Sequence, residues 1–88
     1  MNYRLRLAGP ARRYLDRLEP RVQDRFERKF LLLAADPFDL RHSKPLTSAG
    51  IRRSARVGGW RIVFTVNRDA HDILVDEIGP RGQIYRRL

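Results

Sequence analysis

Cysteine is absent from this 88-residue chain, which rules out disulfides and thiolate chemistry. No apolar run approaches the ~18 residues that a membrane-crossing helix needs. The opening "MNYRLRLAGP" is too polar to serve as a secretory signal, so a cytoplasmic protein with no membrane attachment is expected. Histidine is scarce: His42 and His71 are the only two, and neither has carboxylates at metal-ligand spacing, so no metal site is expected. The Gly58-Gly59 pair lacks the flanking residues of a nucleotide fingerprint, and no cofactor is expected. Asp and Glu are missing altogether between residues 40 and 68. Internal repeats and low-complexity segments are absent too.

What is present is positive charge. The net charge is +9, the pI is near 11.4, and 17 of the 19 basic residues are arginine. The planar guanidinium fork binds phosphate through two parallel hydrogen bonds. That chemistry favours a polyanionic partner, with nucleic acid foremost. Composition alone leaves a general solubility charge as an equal alternative.

The apolar pattern divides the chain into helices first and strands after. Residues 2–7, "NYRLRL", alternate strictly and put Tyr3, Leu5 and Leu7 on one face, the period of a half-buried strand. Gly9-Pro10 ends that run and suits a helix start, where proline costs no hydrogen bond. Ala11, Tyr14, Leu15 and Leu18 then recur at helical spacing. Glu19-Pro20 interrupts the pattern. A second helix is predicted from about Arg21 to Ala35, with Val22, Phe26, Phe30 and Leu33 inward, stopped by Asp36-Pro37. Residues 36–50 read as a loop. Strands are predicted over Ile51–Val57, Trp60–Asn67 and Asp72–Ile78, with a short final strand around Gln83–Arg86 after the turn "GPRG". The order is β-α-α-β-β-β-β: an α+β fold, with one antiparallel-rich twisted sheet and an N-terminal helical hairpin on one face. A single domain spanning residues 1–88 accommodates all of it.

The stretch "IRRSARVGGWRIVF" carries the most information. A two-residue loop at Gly58-Gly59 fits a tight hairpin turn and sets Val57 opposite Trp60, Arg56 opposite Arg61, Ser54 opposite Val63 and Arg52 opposite Thr65. One face then bears Ile51, Ala55, Val57, Trp60, Ile62, Phe64 and Val66, with Arg53 the exception. The other face bears Arg52, Ser54, Arg56, Arg61, Val63 and Thr65. A slip of one residue would exchange the faces, so the apolar pattern specifies the register. Facing arginines are unfavourable unless an anion lies between them. The expectation is therefore an uncovered, anion-binding face, extended by Arg81 and by Tyr85 as a base-stacking aromatic. A merely solvated face, with Asp76 and Glu77 neutralising part of it, is the alternative.

The chain resembles the RelE/ParE superfamily of bacterial toxins from toxin–antitoxin pairs. The resemblance rests on the helical-hairpin start, "DPF" closing the second helix, "KPL" at Lys44 to Leu46, "RVGGWRIVF", and the ending "IGPRGQIYR". In the RelE branch, the toxin enters the ribosomal A site and cuts mRNA without metal. The RNA's own 2′-hydroxyl attacks, leaving a cyclic phosphate and a 5′-hydroxyl. The resemblance implies catalytic roles for Arg61 and Arg81 at the phosphate and leaving group, and for Tyr85 as the orienting aromatic. Lys44, Arg52, Ser54 and Arg56 are implied as RNA- and phosphate-binding residues. One departure concerns the lysines that the RelE branch carries at the positions of Arg52 and Ser54. An arginine is a poor proton acceptor, and serine supplies no charge. Implied partners are a cognate antitoxin, the ribosome and mRNA. A ParE-type inhibitor of DNA gyrase, acting by protein contacts alone, is the second reading, and a non-toxic RNA-binding domain the third.

Overall fold

The alternation at the N-terminus does form a strand, β1 (Arg4–Leu7), and it becomes one edge of a five-stranded sheet. The computed structural model describes residues 2–48 and 50–84. After β1 come helices α1 (Gly9–Asp16) and α2 (Pro20–Ala35), then strands β2 (Lys44–Pro45), β3 (Arg52–Val57), β4 (Trp60–Asn67) and β5 (Asp72–Pro80), and a last helical turn α3 (Arg81–Ile84). The strand order across the sheet is β1-β5-β4-β3-β2. The β1 strand runs parallel to β5, and every other pairing is antiparallel.

Both main helices begin with a proline in their first turn and have no side-chain N-cap, so the fixed φ of proline does the nucleating. Proline at Pro20 starts the second helix rather than preceding it. Between them, the Gln23 side chain donates to the carbonyls of Leu15 and Leu18, each at 3.0 Å. It thereby ties α2 to the last turn of α1 and the linker after it. The hairpin lays Ala11, Leu15, Phe26 and Leu33 against Ala55, Ile62, Phe64, Val66, Ile73 and Val75 of the sheet. Phe26 is fully buried and meets the Trp60 ring edge-on, with centroids 6.0 Å apart. Truncating such a phenylalanine to alanine costs about 3–5 kcal/mol.

The hairpin register is the expected one: Arg52 pairs with Thr65, Ser54 with Val63, Arg56 with Arg61 and Val57 with Trp60. Gly58 turns the chain with φ 56°, a value that favours glycine.

Three features differ from the sequence expectation. Residues 81–84 form a helical turn rather than the start of a final strand, and the remainder of that predicted strand lies outside the described residues. The fourth of the late strands is instead β2, two residues from within the predicted loop, pairing Lys44 with Ser54 and Pro45 with Arg53. So short a strand has no periodicity to read.

Second, β5 carries a bulge. Val63 pairs with Glu77 and Phe64 with Val75, leaving Asp76 as the extra residue.

Third, the face opposite the helices is not open. Ser54 is 1% exposed, Val63 0% and Arg61 7%. The turn α3 contacts β4 and β5, and the backbone N–H of Arg81 donates to the Gly59 carbonyl at 3.0 Å.

Candidate nucleic-acid interface

A depression of about 280 Å³ opens where β2, β3, β4 and α3 meet, roofed by the segment that precedes β2. Lys44, Ser54, Arg56, Arg61 and Arg81 all line it. They come from four different elements, and each is placed by a specific local cause. Pairing of β2 with β3 sets Lys44 across from Ser54. The Gly58-Gly59 turn sets Arg56 across from Arg61. The hydrogen bond from Arg81 to Gly59 brings the start of α3 over the same turn. Arg56 is exposed, and its Nε donates to the Gly58 carbonyl at 3.2 Å, whereas Arg61 is nearly buried. The like-charged pair is thus split between two environments, which reduces the cost of their facing each other.

Two of the sequence-predicted residues fall elsewhere. Arg52 lies beside the depression on the outer face, its guanidinium 3.5 Å from Asp76, which also accepts from Thr65 Oγ1 at 2.8 Å. The bulge supplies that carboxylate, so part of the outer-face charge is neutralised. Tyr85 lies outside the described residues.

Sequence reasoning did not find Lys29, Arg41 and His42, which also line the depression. Lys29 is carried by α2; the placement of Arg41 and His42 follows from the folding back of residues 36–44, for which the chain offers only the breakers Asp36-Pro37 and Pro45 as signals. Asp36 Oδ1 accepts from the Phe38 N–H at 3.0 Å, and Asp39 Oδ1 from the Arg41 N–H at 2.9 Å, so two Asx turns start the segment. The Arg41 side chain then returns to Asp39 at 2.7 Å and holds its carboxyl well below the usual carboxylate range. Ser43 is buried and donates to the Pro37 carbonyl at 2.6 Å.

The anchor of this segment is Arg53, the charged residue on the apolar face. It is 4% exposed. Its Nε donates to Ser43 Oγ at 2.9 Å and a terminal nitrogen to the Gly50 carbonyl at 3.1 Å, with the Phe38 ring 5.2 Å below the guanidinium. Burial pushes the Arg53 guanidinium below its ordinary value; Asp36 opposes that and Arg68 adds to it. Arg68 stacks on the same Phe38 ring at 4.1 Å, and Tyr3 joins the cluster, edge-on to Phe38 and stacked on His71 at 3.8 Å.

Among the described residues, no three His, Cys, Asp or Glu side chains gather as a metal site, and no helix is long and apolar enough to cross a membrane. The chemistry on offer is that of a cationic cradle. Guanidinium and ammonium groups from separate elements line one depression of about 280 Å³.

Comparison with known proteins places this geometry. A search of the curated proteins found no match. Solved structures match over nearly the whole chain. A chain of the toxin–antitoxin complex RelBE2 from Mycobacterium tuberculosis is 28% identical, with 92% of this chain and 100% of that one covered and a TM-score of 0.76. A chain of the archaeal RelE–RelB complex from Pyrococcus horikoshii is 24% identical, covering 94% and 99%, with a TM-score of 0.78. The isolated Escherichia coli RelE toxin is 18% identical, covering 97% and 93%, with a TM-score of 0.77. The family described as the ParE toxin of the type II toxin–antitoxin system, parDE, matches residues 5–85. The fold is that of the RelE/ParE superfamily, and the chain belongs to the ParE toxin family of type II toxin–antitoxin systems.

Proposed function

We propose that this chain is a metal-independent endoribonuclease that cuts mRNA on the ribosome and so inhibits translation in the cytoplasm. The observation that carries the reading is the convergence of Lys44, Arg56, Arg61 and Arg81 around one depression, with Ser54 at its floor. Arg61, held rigidly by burial, binds the scissile phosphate. Arg56 and Lys44 approach from the β3 and β2 sides and offset the charge that builds on phosphorus. Arg81 stabilises the leaving 5′-oxygen, and Tyr85 stacks on a neighbouring base. Extracts of cells expressing the chain test the reading. Cuts at defined positions in translated mRNA are expected, and their absence would overturn it.

A second reading is favoured by a specific observation. The matching family takes its name from ParE, and neither Arg52 nor Ser54 offers a proton acceptor where the RelE branch carries lysine. Under that reading the chain inhibits DNA gyrase by protein contacts, and the same extracts would contain stalled gyrase–DNA complexes and uncut mRNA.

Either activity calls for a cognate antitoxin, as in the complexes that the relatives form. A groove of about 350 Å³ runs between the helices and β1, lined by Leu5, Leu7, Leu15, Phe30 and Leu31, and Leu31 is 69% exposed. Because β1 is an edge strand, an acidic, amphipathic antitoxin segment can both fill the groove and extend the sheet. Co-expression with the cognate antitoxin is expected to give a co-purifying complex, and Leu31→Asp is expected to weaken it.

A further inference from the structure

The proposed cleavage needs a group to take a proton from the 2′-hydroxyl, and almost everything lining the depression is unable to do so. Protonated lysine and arginine side chains are donors without an acceptor. Among the described residues, no Asp or Glu lines the depression, in keeping with a chain that has neither between residues 40 and 68. The exception is His42. Imidazole is the side chain whose ordinary range of titration makes it both acceptor and donor near neutral pH.

His42 is also held in place. Its backbone N–H donates to the Asp39 carbonyl at 3.0 Å, as does that of Ser43 at 3.1 Å. Ser43 is fixed from below by Arg53 and Pro37, and Lys44 is locked into the sheet against Ser54. The imidazole is half-buried at the rim. Around it stand Asp39 and Arg41 from its own segment, Lys29 from α2, Lys44 from β2, Arg56 from β3, Arg61 from β4 and Arg81 from α3. The Asp39 carboxylate, held ionised by its hydrogen bonds with Arg41, interacts electrostatically with His42.

We infer that His42 is the proton acceptor of this site, an assignment that rests on the endoribonuclease reading given above. The 2′-O–H proton passes to a ring nitrogen of His42 as the 2′-oxygen forms its bond to phosphorus. The bond from phosphorus to the 5′-oxygen breaks, and the leaving oxygen, steadied by Arg81, takes a proton from water. The products are a 2′,3′-cyclic phosphate and a 5′-hydroxyl, and the imidazolium returns its proton to solvent.

The test is single-turnover cleavage of a ribosome-bound mRNA across pH 5 to 9 by the full chain and by His42→Gln, with His42→Asn as a second replacement. Thermal melts establish that each variant is folded. The parent rate is expected to rise with pH along an acid limb and then level off. Both variants are expected to lose about 10²- to 10⁴-fold in rate, to bind RNA within about threefold of the parent, and to show no acid limb in what remains. A folded variant that keeps the parent's acid limb overturns the assignment to His42 while leaving the nuclease reading intact. If the parent cuts no mRNA at any pH, both fall together.

Discussion

Arg53 and Arg61 sit on neighbouring strands of one hairpin, both more than nine-tenths buried, and they face opposite ways. Arg53 turns toward the helices and meets a serine hydroxyl, a backbone carbonyl and a phenylalanine ring, with Asp36 near enough to favour its charge. Arg61 turns toward a depression whose other charged walls are Lys29, Arg41, Lys44, Arg56 and Arg81. The first makes two hydrogen bonds to the chain's own acceptors and organises a loop. The second lines a depression with five other cations, an arrangement suited to an anionic ligand. Burial of an arginine therefore does not by itself mark a site.

The largest expected separation between the two is in activity. Arg61→Ala should lower mRNA cleavage by on the order of 10²- to 10³-fold, the loss typical of removing one preorganised charge-stabilising donor. It should also relieve growth arrest on expression while the protein still unfolds cooperatively. Arg53→Ala should invert that profile. With two hydrogen bonds from this buried guanidinium gone, stability should fall by about 2–3 kcal/mol, lowering the melting temperature by roughly 10–20 °C. Cleavage measured well below that melting temperature should fall less than for Arg61→Ala. An Arg53→Ala protein as stable as the parent would show that the staple through Ser43 and Gly50 does not hold the segment.

Salt sharpens the contrast further. With ~5 phosphates neutralised, single-stranded RNA affinity should fall with a log–log slope near −3.5, and Arg61→Ala should reduce that slope by about 0.7. The corresponding slope for Arg53→Ala should match the parent.

The smallest effect belongs to a third kind of arginine, the exposed one. Arg6 donates to Asp72 at 2.7 Å, and this hydrogen bond, ahead of the charge itself, holds the Asp72 carboxyl below its ordinary value. The pair therefore adds stability at pH above the ordinary carboxylate range and loses it as pH falls through the depressed value. Asp72→Asn should lower the melting temperature at pH 7 by less than about 5 °C, and the difference should vanish in strong acid.

How much of this was legible beforehand follows from range. The β3–β4 register could be read because its causes are local: a two-residue glycine turn and an apolar alternation that tolerates no slip. The helix pair was legible for the same reason, through Pro10, Pro20 and the 3.6-residue spacing. Arg56, Arg61, Ser54, Lys44 and Arg81 were recognisable as candidates, and they do come together. What could not be read depends on contacts between distant segments. Ser54, Val63 and Arg61 were expected on an open face but are buried, and residues 40–44 line the depression beside Ser54 and Arg61. The bulge at Asp76, which diverts Arg52 from the depression, has no counterpart in the pattern of β5. His42 was legible only as a residue without metal-ligand neighbours, and its surroundings are set by loop packing.

The central claim is that the basic depression cuts mRNA on the ribosome. It is tested most directly by translating a reporter mRNA with purified ribosomes and this protein, then mapping the cut ends and their chemistry. The account predicts cuts in ribosome-bound mRNA that leave 5′-hydroxyl and cyclic-phosphate ends, lost with Arg61→Ala. Intact mRNA at protein concentrations that arrest growth would contradict it and leave gyrase as the target.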